Sequence, residues 1–65
     1  MSKQYRYHWA AMDVPSRLSD EDLISKYDFY RFLLKWTPEG ERNELYDRLS
    51  DIYDEIVSRG LLKKN

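Results

Sequence analysis

Residues 18–36 constrain the fold most, because they open with a strong helix-start signal and then carry apolar side chains on two sides. Ser19 is a natural N-cap, since its hydroxyl can accept a hydrogen bond from an N–H of the first turn. Three acidic residues follow it and place negative charge beside the positive end of the helix dipole. Leu18 and Leu23 have the spacing of a hydrophobic staple. The pattern predicts a first helix over residues 19–36.

At 100° per residue, the apolar side chains of this first helix fall on two stripes. One stripe consists of Leu23, Tyr27, Tyr30 and Leu34, and the other, roughly opposite, consists of Phe29, Phe32 and Trp36. A helix that is apolar on two sides is usually buried on two sides. One side can pack against a second helix. The other side needs the N-terminal aromatic residues, a second copy of the chain or a binding partner.

A second helix is predicted over residues 38–59. Its apolar residues recur at intervals of four, three and four positions, at Leu45, Leu49, Ile52 and Ile56. Pro38 suits the first helical position, where its missing N–H is not needed, and Thr37 would then be the N-cap. Gly60 stands where a left-handed C-terminal cap belongs, so that Leu61 can fold back onto the last turn.

Before the helices, aromatic residues alternate with other residue types. Tyr5, Tyr7 and Trp9 are separated by Arg6 and His8, which is the period of an extended segment. Nothing else in the chain reads as a strand, so this segment would lie across the helices or pair with a second copy of itself. We therefore predict one small domain over residues 1–65: a mostly α, antiparallel two-helix hairpin with an N-terminal aromatic arm and turn (residues 1–17), and a homodimer as one option.

Composition argues against several functional classes. The 65 residues include no cysteine, one histidine and two glycines, so there is no disulfide framework, thiolate metal site or glycine-rich phosphate loop. We expect a non-enzymatic protein without metal or cofactor. The apolar runs are too short to span a membrane, and the N-terminus lacks the apolar core of a signal peptide, so we expect a cytoplasmic protein.

Aromatic side chains provide the first candidate interaction surface. The candidates for partner binding or self-association are Tyr5, Tyr7, Trp9, Phe29, Phe32 and Trp36. Aromatic anchors dominate the energetics of many protein interfaces. The competing interpretation is that the arm covers the second stripe of the first helix within one chain. A further alternative is a small nucleic-acid-binding protein, in which Arg6 and Trp9 contact phosphates and stacked bases.

Acidic side chains on the second helix provide an alternative surface. They lie on one face, opposite the apolar seam: Glu44, Asp47, Asp51, Asp54 and Glu55. A row of charges is usually a solvated face. The functional interpretation is a docking surface for a basic protein, in the manner of phage-type inhibitors that imitate the charge of a nucleic acid, with strong salt dependence.

The run Leu18-Ser19-Asp20-Glu21, followed by Leu23-Ile24 and Tyr27, resembles the Sda-type inhibitors of sporulation histidine kinases. The likeness resumes at Glu55-Ile56, Arg59 and Leu61, and so extends over about residues 18–61. The resemblance implies a very short helical hairpin that inhibits a regulatory protein by binding it. The chain differs from that family in its N-terminal arm, in its longer connection at residues 37–40, and in Arg48, where a bulky apolar residue is expected. No binding residues are transferred.

Together these observations predict a small protein-binding regulator. Its expected target is a bacterial regulatory protein or enzyme such as a histidine kinase. A protein is the expected partner, rather than a nucleic acid or a membrane.

Overall fold

The computed structural model describes residues 5–62 of the chain, so residues 1–4 of the predicted arm lie outside the described part. Two α-helices, α1 (Asp20–Leu34) and α2 (Arg42–Ser58), pack against each other. The start of α1 lies beside the end of α2, where Asp20 and Arg59 form an ion pair at 2.8 Å, so the helices are antiparallel. Two short 3₁₀ turns, Pro15–Arg17 and Glu39–Glu41, precede the helices, and residues 5–62 contain no strand. The prediction of a mostly α hairpin is confirmed.

Helix α1 begins as the sequence predicts. The Ser19 hydroxyl accepts a hydrogen bond of 3.1 Å from the backbone N–H of Asp22, which satisfies a donor that has no partner within the helix. Leu18, just before the cap, packs against the core that contains Leu23. The N-cap and the hydrophobic staple therefore set both the start of α1 and the direction from which the chain enters it.

The connection between the helices differs from the prediction. The Thr37 hydroxyl donates to the carbonyl oxygen of Leu33 at 2.7 Å, so Thr37 closes the end of α1 and is not the N-cap of α2. Pro38 has an extended ψ of 148°, and the chain makes one 3₁₀ turn before α2 begins at Arg42. The residue before a proline is disfavoured in a helix, so Thr37 does not continue α1, which ends at Leu34 and not at the predicted residue 36.

Helix α2 ends in the predicted left-handed cap. Gly60 has φ of +72°, and the N–H groups of Gly60 and Leu61 donate to the carbonyl oxygens of Val57 and Ile56, both at 3.0 Å. This pair of bonds is the Schellman pattern, and Leu61 packs back onto the core cluster, as expected.

The core is small and lies between the two helices. Leu23, Ile52 and Ile56 form its centre and are at most 3% exposed. Partly buried apolar side chains close around them: Trp9, Leu18, Tyr27, Tyr30 and Leu61. The predicted seam of α2 is thus the buried face of that helix, with Leu45 also buried and Leu49 half-buried. Within the described part of the chain, neither helix is long and apolar enough to cross a membrane.

Candidate protein-binding surface

One carboxylate on α2 holds the N-terminal arm in place. Asp51 is only 3% exposed, and its two oxygens accept hydrogen bonds from the backbone N–H groups of Arg6 and Tyr7 and from the indole Nε1 of Trp9, each at 2.9 Å. We call this arrangement the polar clamp. A carboxylate that accepts several N–H donors binds more strongly than a neutral acceptor would, because the hydrogen bonds are charge-assisted. The clamp therefore ties residues 6–9 to the middle of α2.

Arg48, one turn before Asp51, supports the arm from the same side. Its Nη2 donates to the hydroxyl of Tyr7, and its guanidinium carbon lies 4.3 Å from the ring centroid of Tyr7 and 5.5 Å from that of Tyr30. Burial opposes the charge, but the hydrogen bond to Tyr7 and the electrostatic attraction of its neighbours outweigh it, so the pKa of Arg48 is raised above its ordinary value. Arg48 thus contacts aromatic rings where a bulky apolar residue was expected.

The arm packs on the Tyr30 side of α1. The rings of Tyr7 and Trp9 meet edge to face at 5.0 Å between centroids, and Trp9 lies 6.4 Å from Tyr30. The interpretation that the arm covers the second stripe of α1 is therefore wrong. The backbone donors of residues 6 and 7 must reach Asp51 on α2, and this draws the arm to the opposite side of α1.

The aromatic residues of the arm that were candidates for partner binding are partly buried within the molecule. Tyr7 and Trp9 are half-buried and use their polar atoms inside the molecule, while Tyr5 is half-buried as well. Arg6 and His8 remain exposed. The arm thus presents little free aromatic surface for stacking on a nucleic-acid base.

The predicted acidic face is not a continuous exposed surface. Asp51 and Glu55 are 3% and 8% exposed, and Glu55 accepts a hydrogen bond from Nε of Arg59 at 2.9 Å. They lie beside the apolar seam because Asp51 and Glu55 each precede a core isoleucine by one residue, about 100° around the helix. The arm and the first 3₁₀ turn cover that flank. Glu44 and Asp54 are exposed and Asp47 is half-buried, so these three are the members of the set that still face solvent.

Arg59 is one of the residues on which the resemblance to the Sda-type hairpins is based, and in this structure it stabilises the fold. Beyond Glu55, its Nη1 donates to Asp20 at 2.8 Å and its Nη2 donates to the carbonyl oxygens of Pro15 at 3.1 Å and Ser16 at 3.4 Å. One guanidinium thus joins the end of α2, the start of α1 and the first 3₁₀ turn. The five fixed donors of arginine make such a three-way contact possible.

A cluster of exposed aromatic side chains lies on the last turns of α1 and just after its end, on the side away from the core. Phe29, Phe32 and Trp36 are 54%, 53% and 72% exposed, and the rings of Phe32 and Trp36 lie 6.1 Å apart. We call these three residues the aromatic face. The arm candidates lie on another side of the molecule, so the structure does not join the six predicted aromatic residues into one surface.

Charged side chains border the aromatic face along one edge. Asp28, Arg31 and Lys35 line a shallow cleft of about 210 Å³ together with Phe32. A cleft with an aromatic wall and both signs of charge suits recognition of an amphipathic protein segment. Elsewhere, the described residues group no three His, Asp or Glu side chains in the way that a metal site would require.

Comparisons with known proteins give no relative for this chain. No family model matches it, and neither the curated proteins nor the solved structures contain a match.

Proposed function

We propose that the chain is a small, non-enzymatic regulator that binds another protein through the aromatic face of α1. The exposure of Phe29, Phe32 and Trp36 carries this proposal. Large aromatic side chains at the centre of an interface commonly supply most of its binding energy. Phe29 and Phe32 lie on α1 and are rigid anchors, since little conformational entropy is lost when they bind, and Trp36 follows two residues after the helix ends.

Intramolecular packing does not account for this aromatic face. Helix α1 already buries Leu23 against α2 on its opposite side, and the arm docks beside Tyr30. Three aromatic rings that are more than half exposed within residues 29–36 reduce solubility, a cost that a binding role would explain.

The target that we propose is a bacterial regulatory protein or enzyme, of which a histidine kinase is the leading example. This part of the proposal is based on the resemblance of residues 18–61 to the Sda-type hairpins. Inhibition would follow if the aromatic face occupied a surface that the target needs for its own helix packing or domain movement.

The acidic face and the arm are weaker alternatives. Asp51 and Glu55 are committed to internal contacts, which leaves three separated carboxylates to imitate a nucleic-acid backbone. Trp9 and Tyr7 are committed to the polar clamp and to Arg48. We therefore assign the contact to α1.

An affinity capture with matched variants tests the proposal. The wild-type chain, Trp36→Ala and Tyr46→Ala are immobilised and exposed to a bacterial lysate that has been treated with nuclease, at low and high salt. Tyr46 is the matched control, because it is 50% exposed but lies on α2. We expect a protein that is retained by the wild type and by Tyr46→Ala at high salt and is lost from Trp36→Ala.

A captured protein is then purified and titrated with the chain, and its own activity is measured. Inhibition by the wild type and loss of inhibition in Trp36→Ala would support a regulator. Equal capture by all three chains, or capture that disappears at high salt, would contradict binding through the aromatic face.

A further inference from the structure

We infer that a second copy of this chain binds the aromatic face, with the two α1 helices packed antiparallel. The inference uses the surface of the proposed function and specifies an additional occupant for it. It follows from the placement of charge around that surface.

Three charges lie along one edge of the aromatic face, and the outer two, Asp28 and Lys35, are opposite in sign and unpaired, whereas Arg31 between them lies over the ring of Tyr27, 5.7 Å from its centroid. Asp28 and Lys35 are exposed, and within residues 5–62 neither side chain forms an ion pair or a hydrogen bond. They are seven residues apart, which is about 10.5 Å along a helix. The midpoint between them falls beside Phe32, which is also the middle residue of the aromatic face.

This placement is complementary to itself. When two identical helices pack antiparallel across a two-fold axis, a given edge of one helix lies beside the same edge of the other. A residue that precedes the axis in one copy then faces a residue that follows the axis in the other copy. With the axis beside Phe32, midway between positions 28 and 35, Asp28 of each copy faces Lys35 of the other. Two intermolecular ion pairs then flank a centre in which Phe32 packs on Phe32.

A parallel arrangement lacks this match, because each charge would lie beside the identical charge of the other copy: Asp28 would meet Asp28, and Lys35 would meet Lys35. Charge therefore selects the antiparallel orientation.

Self-pairing would regulate the proposed function by competition. The second copy covers Phe32 and its neighbours, so a target protein must displace it before binding. The aromatic face would be covered at high concentrations of the chain and free to bind a target at low concentrations. The dissociation constant of the dimer would set the concentration at which this change occurs.

Sedimentation equilibrium on charge variants tests the pairing. Asp28→Lys makes positions 28 and 35 both positive, and Lys35→Asp makes both of them negative. Each variant alone should dimerise roughly tenfold or more weakly than the wild type, because both ion pairs become repulsions. An equimolar mixture of the two should recover dimers, since each positive edge then meets a negative one.

Asp54→Lys on α2 makes the same change in net charge as Asp28→Lys, but away from the aromatic face, and this variant should dimerise like the wild type. Circular dichroism verifies that each variant is folded, and Phe32→Ala gives a second, uncharged way to weaken the centre of the pairing. A wild-type chain that stays monomeric up to millimolar concentration overturns the inference, as does a mixture that dimerises no better than its components. Target capture is measured separately, so a monomeric chain that still captures its target overturns only the self-pairing.

Discussion

The indole Nε1 of Trp9 donates a hydrogen bond of 2.9 Å to Asp51, which lies 42 residues further along the chain. The same carboxylate accepts two backbone N–H groups of the arm. One buried charge therefore determines whether residues 6–9 lie on the helices, and with them the position of Tyr7 against Arg48.

Asp51→Asn should lower the free energy of unfolding by about 2–3 kcal/mol, because hydrogen bonds to charged groups contribute more than neutral ones and buried donors would lose their acceptor. The amide offers one oxygen in place of two and turns an NH₂ group toward an N–H donor. Urea unfolding followed by circular dichroism measures the change. Asp54→Asn is the control, since Asp54 is exposed on the next turn, and it should change stability by less than about 0.5 kcal/mol. Equal effects of the two substitutions would contradict the polar clamp.

Trp9→Phe should cost about 1 kcal/mol for the lost hydrogen bond, in addition to the cost of the smaller ring. A double-mutant cycle with Asp51→Asn separates the two contributions, because the loss of the hydrogen bond can be counted only once. We expect a coupling energy of about 1 kcal/mol between the two positions. A coupling energy near zero would show that the indole contributes only by packing.

Arg59→Lys should lower the free energy of unfolding by about 1–2 kcal/mol, because lysine keeps the charge but cannot reach the carboxylates and the backbone carbonyls together. Arg17→Lys is the control, since Arg17 is exposed in the first 3₁₀ turn, and it should be nearly neutral. Thermal unfolding of both variants measures the difference.

The contribution of Arg59 to the free energy of unfolding should not depend on pH near neutrality. Hydrogen bonds to Asp20 and Glu55 raise the pKa of Arg59 above its ordinary value. A group whose pKa is raised on folding contributes its full stabilisation below its unfolded pKa and loses it only as the pH rises through the folded pKa. The stability difference between wild type and Arg59→Lys should therefore stay constant between about pH 7 and pH 9, where both side chains remain charged. A difference that shrinks over this range would mean that another titrating group governs the contact.

Gly60→Ala should destabilise the chain by about 1 kcal/mol, because an alanine at φ of +72° is strained. A Cβ at this position meets no atom within 4 Å, so the cost is one of backbone conformation and not of packing. Gly40→Ala has equal space but no positive φ, and it should be neutral or stabilise by up to about 1 kcal/mol. Chemical unfolding of the two variants side by side decides the matter, and the same sign of change in both would contradict this account.

Local signals in the sequence predicted the start of α1 and the end of α2. The cap at Ser19 and the left-handed turn at Gly60 depend on residues within one turn of each other, so the sequence contains all that is needed to recognise them. Thr37 was assigned to the wrong helix because a hydroxyl before a proline can either accept from the helix that follows or donate to the helix that precedes it. The path of the backbone after Thr37 decides which of these two hydrogen bonds forms, and the sequence alone does not show that path.

The role of Asp51 depends on a contact over long sequence separation and could not be predicted in the same way. On a helical projection Asp51 belongs to a row of acids, and its burial becomes visible only when the arm is placed over it. One signal was present: two acidic residues, Asp51 and Glu55, lie between two basic ones, Arg48 and Arg59, along the edge of the apolar seam. A charged row at the boundary of a core often marks where another segment of the chain docks. The aromatic face, by contrast, was recognisable from periodicity alone, although its exposure was not.

The polar clamp also has a consequence for the order in which the chain assembles. Residues 6–9 are synthesised more than forty residues before Asp51, and their acceptor is in place only once α2 has formed. The hairpin can collapse around Leu23 and Ile52 through contacts closer in sequence, whereas the arm must close the largest loop in the fold. We therefore expect the arm to become ordered after the hairpin has formed, and until then the side of the core beneath Trp9 is open to solvent.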